Sequence, residues 1–353
     1  MRPGATCASS PVAIGAAEVG SYMLRVCIVG VGAIGGLLGT RLALCAGVKV
    51  SALARGATLT ALRDHGWRLN EGGQQLRAPA SNVSDEPGEL GPQDLVIIAL
   101  KAQALPALAP TLRPLLAPDC IVLPAMNGVP WWFSASTAAL ANHPLESVDP
   151  GGGIAAAIPL RHVVGCVVHA SAATTEPGVA SHRMGRGLII GEPAGGQSDR
   201  VTRLSDVLTN AGFEVTCSSR IRYDAWYKLW GNMTMNPLSA LTGATTDRML
   251  DDELIRAFCA AAMREAAVIG VRIGCDVQQS AEDRFAVTRK LGAFKTSMLQ
   301  DAEAGRALEL DALVGAVREI GARVAVATPA IDTLFGLTRL FGRMRGLYPH
   351  GPG

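Results

Sequence analysis

The feature that most constrains this chain is the run at residues 25–41, RVCIVGVGAIGGLLGTR. Four apolar residues, 26–29, lead straight into Gly30-Val31-Gly32-Ala33-Ile34-Gly35, and a helix-like pattern follows over about 35–46. A strand, a tight turn and a helix start in that order make a cradle for a pyrophosphate. Gly30 permits the turn, Gly32 lets backbone approach the anion, and Gly35 lets the helix pack close to the strand. Free amides at the helix start and the positive end of its dipole then hold the charge. With 40 glycines in 353 residues the spacing alone is weak, and a purely structural turn is the alternative. The strand before it, the helix after it and a second strand pattern at 48–53 favour the dinucleotide reading.

The end of that second strand bears on cofactor flavour. Folds selective for NAD place an acid there for the ribose 2′-hydroxyl, whereas an arginine suits a 2′-phosphate. The chain has Ala54-Arg55-Gly56 and no acid close by. This predicts NADP (as NADPH), with Arg55 as the phosphate clamp; a solvated surface arginine is the bland alternative.

Downstream, 57–64 reads as helix and 67–78 as a small hairpin. The continuous apolar run at 95–100 is a buried parallel strand, ending in Lys101 at the edge where open α/β sheets bind ligands. A strand at 120–123 ends in Met126-Asn127-Gly128, either a plain turn or a donor and acceptor on the same crevice. Runs at 153–158, 163–170 and 187–190 are expected as strands completing the first sheet, followed by a helix at 202–210 and a last strand at 213–216. Beyond Arg220 the pattern is helical nearly throughout. The expected fold is α/β, a Rossmann-type domain over 23–219 joined to an all-α domain over 220–353.

Residues 1–22 are rich in Gly, Ala and Ser and make a poor signal peptide. They are expected to be a disordered extension, or to precede a natural start at Met23. A net charge of +2 and 18% charged residues give no reason to expect nucleic acid as a partner, and no apolar run is long enough for a membrane span. The eight cysteines form no CxxC pair, so buried free thiols in a reducing cytoplasm fit best, and no His/Cys/Asp/Glu cluster has metal-ligand spacing. A homodimer through the helical domain is compatible with the sequence, but no residue pattern fixes it.

In the helical half, Lys228, Asn232 and Asn236 recur every four residues and share one helix face among apolar neighbours. Buried amides and an ammonium must find partners, so this stripe is either an interhelical hydrogen-bond network or a site. Pro237 should end or bend the helix there. Ser297 and Glu309 are the other candidates, although hydroxyls and carboxylates near helix ends are most often caps.

Taken in order, GxGxxG, Lys101, Met126-Asn127-Gly128, Lys228-x3-Asn232-x3-Asn236-Pro237, Ser297-Met298-Leu299-Gln300-Asp301 and Glu309 resemble the ketopantoate reductase (2-dehydropantoate 2-reductase) family over about 23–348. The resemblance implies catalysis in a cleft between the two domains. It implies Lys228 as general acid, with Asn232, Asn236 and Ser297 binding the carboxylate and hydroxyls of a small 2-keto acid. Asn127 would touch both ligands, and Glu309 would lie beside the cofactor ribose and the substrate hydroxyl. Arg55 matches the family's 2′-phosphate arginine, Lys101 its cofactor-side lysine, and Ala173 a backbone contact. Two departures bear on substrate: Thr246 stands where the family can carry another asparagine, and Val129-Pro130-Trp131-Trp132-Phe133 is bulky. The alternatives are a related dehydrogenase of another small acid and a non-catalytic NADP-sensing module.

Overall fold

The computed structural model describes residues 23–140 and 143–350, so the expectations for residues 1–22 lie outside the described residues. The first half runs β1 (Leu24–Val29), α1 (Ala33–Ala43), β2 (Val48–Leu53), α2 (Gly56–His65), β3 (Trp67–Glu71), β4 (Gln74–Ala78), β5 (Val83–Ser84), α3 (Pro87–Leu90), β6 (Gln93–Ile98), α4 (Leu105–Leu108), β7 (Leu116–Pro124), α5 (Gly153–Ala157), β8 (Gly165–Glu176), β9 (Val179–Gly191), α6 (Asp199–Asn210) and β10 (Glu214–Cys217). Helices α7 (Ile221–Thr242), α8 (Thr246–Asp251), α9 (Glu253–Arg272), α10 (Ala281–Arg289), α11 (Ser297–Glu303), α12 (Ala316–Arg323) and α13 (Pro329–Met344) follow, with a π-turn at Asp311–Gly315 leading into α12.

Strands β5-β2-β1-β6-β7 form a five-stranded parallel sheet. Residues 26–29 and 95–98 are buried on both faces, which is why they read as unbroken apolar runs. The carboxyl ends of β1, β2, β6 and β7 bring Gly30, Arg55, Lys101 and Asn127 to one edge.

Two expectations need correction. The run at 153–158 is not a strand. Its amides are taken locally: the Asp149 carboxylate accepts from Ile154 N at 2.7 Å and Ala155 N at 3.1 Å, which starts helix α5. Nor do the later strands complete the first sheet. β8 and β9 make a long antiparallel hairpin, and β9 pairs in parallel with β3 and β10, giving a second sheet ordered β10-β9-β3-β4. Among the described residues, the Val122–Val163 bridge is the isolated pairing between the β7 edge and the segment before β8. Helix α1 lies between the two sheets because it is narrow: a Cβ on Gly36 would come 2.8 Å from Ala180 Cβ, and one on Gly39 would come 2.3 Å from the Trp67 ring.

Helix α7 does not end at Pro237 but continues to Thr242. Proline removes one intrahelical bond, but every residue from Met233 to Ala240 is buried, and that packing holds the helix across the gap. The segment after Asn127-Gly128 crosses into the helical half. Val129, Phe133, Leu140, Leu145 and Val148 join the core of α7, α9 and α13, and Phe133 stacks on Trp226 with centroids 6.0 Å apart.

Candidate active site

The glycine turn has the geometry of an anion cradle. Gly30 sits at φ +90, and a Cβ there would strike Leu100 at 2.4 Å. A Cβ on Gly35 would fall on Gly30 O, so the helix start is pressed against the turn. Gly32 is different. It is exposed, precedes α1 without a side-chain cap, and a Cβ there would meet no protein atom within 4 Å. With no acidic residue in the first turn and open space at Gly32, the uncapped helix start within Val31-Gly32-Ala33-Ile34 suits a phosphate group. At the tip of the neighbouring strand Arg55 is exposed, and its side chain has no hydrogen bond or ion pair among the described residues. A free cation without an adjacent acid fits a nucleotide carrying an extra phosphate.

Lys101 follows β6 and reaches across to the helical half. Its Nζ donates to Asp301 and, at 3.0 Å, to Glu309, while Ala102 N donates to the other Glu309 oxygen at 3.1 Å. Burial works to lower the Lys101 pKa, but the two carboxylates outweigh it and hold it above the ordinary lysine value. Asp301 is also held by Arg306 Nε at 2.9 Å. Ala173 lies in β8 opposite Ser181, one register position from the Thr174–Ala180 pair on which Gly36 of α1 rests.

The stripe on α7 forms the facing wall. Lys228 Nζ donates to Asn127 Oδ1 at 2.9 Å and to Val168 O at 2.7 Å. Burial lowers the Lys228 pKa to about 8; Arg284 pushes the same way, against Glu309. Lys228 and Asn232 line a narrow crevice with Met126, Asn127, Gly128, Cys166, Val167, Ala225 and Leu229. The Cys166 thiol is pushed up to about 12 by burial, so it stays neutral beside the ammonium. One turn on, Asn236 Nδ2 faces Ser297 Oγ at 3.5 Å. Thr296, not Ser297, caps α11 by accepting from Leu299 N at 3.2 Å, which leaves the Ser297 hydroxyl free to face α7.

Gly128, at φ +83, packs so tightly on the π-turn that a Cβ would lie 2.6 Å from Ala312 O, and Val129 N donates to that same oxygen at 2.8 Å. Asn127 is thereby anchored to the helical half, four residues before Trp131 packs into the core of the parallel sheet. The bulky residues do not line the crevice: Trp131, Trp132 and Phe133 are all at most 4% exposed. Thr246 is likewise committed elsewhere, donating to Gly292 O at 2.9 Å.

Several groups here carry no individual signature in the sequence. The Val168 carbonyl is a backbone atom, and its role follows only from where β8 passes α7. Asp301 was legible as part of the Ser297–Asp301 run, but not as the partner of Lys101.

The arrangement matches a known family along most of the chain. A family model described as ketopantoate reductase PanE/ApbA matches residues 26–195, and its C-terminal counterpart matches residues 220–341. The chain belongs to the ketopantoate reductase family. A 2-dehydropantoate 2-reductase of Mesorhizobium japonicum is 40% identical over 92% of this chain and 100% of its own length. A crystal structure from Ralstonia solanacearum MolK2, described as a ketopantoate reductase, superimposes with a TM-score of 0.88 at 55% identity, covering 92% of this chain and 100% of that one. A D-mandelate dehydrogenase bound to NADH and anilino(oxo)acetate, 20% identical with a TM-score of 0.78, covering 92% of this chain and 100% of its own, shares the fold. Membership makes the chain a pyridine-nucleotide oxidoreductase that interconverts a carbonyl and an alcohol. No helix among the described residues is long and apolar enough to cross a membrane.

Proposed function

We propose that this reductase converts 2-dehydropantoate to pantoate at the expense of NADPH, with Lys228 as general acid. The observation that carries the reading is the Lys228 ammonium, held by Asn127 Oδ1 and Val168 O in a crevice between the nucleotide-binding edge and α7, with its pKa lowered to about 8. The Gly30–Gly35 turn would hold the pyrophosphate of the cofactor, whose reduced nicotinamide would supply hydride to the carbonyl carbon of the 2-keto acid. As charge builds on the carbonyl oxygen, Lys228 Nζ stabilises it and then gives up its proton, leaving a neutral amine and the product alcohol. A pKa near 8 keeps the lysine charged at neutral pH yet makes release cheap. Asn127 orients the ammonium through Oδ1, while Asn232, Asn236 and Ser297 offer neutral contacts to the substrate's carboxylate and hydroxyls. Glu309, bound to Lys101 and Ala102 N, lies between substrate and ribose positions. Ala173 contributes a backbone contact on the nucleotide side. Arg55, exposed and without a side-chain partner among the described residues, supports NADPH over NADH.

The test is direct. Purified protein mixed with NADPH and 2-dehydropantoate should lose nicotinamide absorbance, and Lys228→Ala should cut the rate by about 10²–10⁴-fold. Nucleotide binding without turnover over a panel of 2-keto acids would overturn the reading and leave a sensor. Turnover confined to another 2-keto acid would leave the reaction type and remove the substrate assignment.

A further inference from the structure

One cation beside the crevice is not used by that chemistry. Arg284, on α10, lays its guanidinium across the backbone of α7 at Gly231, one turn beyond Lys228. A Cβ on Gly231 would meet Arg284 Nε at 2.5 Å, Nη2 at 2.9 Å and Cζ at 3.0 Å, so the fork occupies a notch that only glycine leaves open. The Tyr227 ring flanks it, with Cζ 5.3 Å from the centroid, and Tyr227 is itself tied by its hydroxyl to Gln279 Oε1 at 2.6 Å. Arg284 Nε is buried with no hydrogen-bond partner, and the side chain forms no ion pair among the described residues.

A half-buried guanidinium without an anion is costly, because desolvation is incurred and no carboxylate repays it. Proteins usually resolve this by pairing; here two basic groups lie within reach instead. Arg284 sits within electrostatic reach of Lys228 and of His169 on β8, and both feel it as a repelling charge. His169 is held below its ordinary value first by burial, then by Lys228 and Arg284, with Asp224 opposing. Three cationic or basic groups, Lys228, His169 and Arg284, thus gather where α7 passes β8, and the Arg284 Nε among them has no partner.

We propose that Arg284 is a substrate-recognition residue: its guanidinium, seated in the Gly231 notch one turn from Lys228, attracts the carboxylate of the incoming 2-keto acid toward the crevice that Lys228 lines. The inference rests on the 2-keto acid reading above. Capture by a cation next to the site raises the encounter rate and the affinity for the anion, and both fall with ionic strength. It leaves the chemical step to Lys228, so the effect belongs in KM and not in kcat. Gly231 is then a specificity residue as well, since any side chain there would evict the fork.

The decisive experiment measures 2-dehydropantoate binding by calorimetry in the presence of NADP+, comparing wild type with Arg284→Gln and Arg284→Lys at low and high salt. Loss of one partly exposed charge-assisted contact should weaken binding about tenfold at low salt in Arg284→Gln. Arg284→Lys should recover part of it, and the gap should narrow as salt rises. The carboxamide analogue of the substrate, which lacks the charge, should bind wild type and Arg284→Gln alike. Gly231→Ala should reproduce the Arg284→Gln defect. Equal affinity of wild type and Arg284→Gln for 2-dehydropantoate, an equal loss for the carboxamide, or no binding to wild type would each overturn the assignment. Turnover with NADPH is scored separately: Arg284-dependent binding without oxidation of NADPH keeps the capture role and removes the proposed reaction.

Discussion

At Lys228 an ammonium is kept in a setting that disfavours charge, and that fixes how activity should depend on pH. The lysine must be protonated to donate, and its pKa is lowered to about 8. Reduction should therefore be level below about pH 8 and fall tenfold per pH unit above it, while oxidation of the product alcohol, which needs the neutral amine, should rise over the same range. Initial rates in both directions across pH 6–10 check this; a high-pH limb that survives in Lys228→Ala would sink the assignment. Arg55 makes the second residue-level prediction. Arg55→Ala should weaken NADPH by about 1.5–3 kcal/mol and leave NADH almost unchanged, read as the ratio of the two dissociation constants. Residues such as these stand out as candidates in the sequence because their types are chemically narrow and their spacing is fixed by a helix turn or a strand end. Val168 and Arg284 were not: one acts through a carbonyl that every residue carries, and the other is one arginine among many until tertiary packing puts it on Gly231.

Among the elements, α1 shows both what a linear reading captures and what it misses. Its glycines announce close approach, and Gly30 and Gly35 meet each other as a dinucleotide turn requires. What they could not announce is the second sheet, because the partners of Gly36 and Gly39 lie on β9 and β3, far along the chain. The same distance explains why the β8–β9 hairpin was expected beside the first sheet: apolar runs specify that a strand is buried, not which neighbour it pairs with. Asp149, four residues ahead of 153–158, decided helix over strand by binding two amides, a contact that periodicity does not see. Gly39→Ala puts a methyl 2.3 Å from the Trp67 ring and should cost about 1–3 kcal/mol by overpacking, with the urea midpoint lowered and the slope unchanged.

Across the whole molecule, the two halves are fastened at the site itself. Lys101 spans them to reach Asp301 and Glu309, whose side chains are 6% and 5% exposed while the lysine's is 40% exposed. Lys101→Met would leave Glu309 buried with only the Ala102 amide for company and should destabilise the protein by about 1–3 kcal/mol at neutral pH. The sign with pH is set by Lys101, whose pKa the two carboxylates hold above the ordinary lysine value. Its contribution is full at neutral pH and is lost as pH rises through that raised value, so the deficit should shrink in strong alkali, which urea melts at pH 7 and pH 11 would reveal; a deficit that widens would refute the account.

The excursion of Val129 to Leu140 and of Leu145 to Val148 into the helical core limits how this chain can be divided. The backbone passes from strands to helices near Ser219, but Val129, Phe133, Leu145 and Val148 are already part of the helical core. A polypeptide beginning at 220 would expose the face of Trp226 on which Phe133 stacks, and one ending at 219 would carry those apolar side chains with nothing to receive them. Two such fragments expressed together should find each other and fold only as a pair, making the protein a candidate for split-reporter complementation in which recovered NADPH oxidation signals that the halves have met.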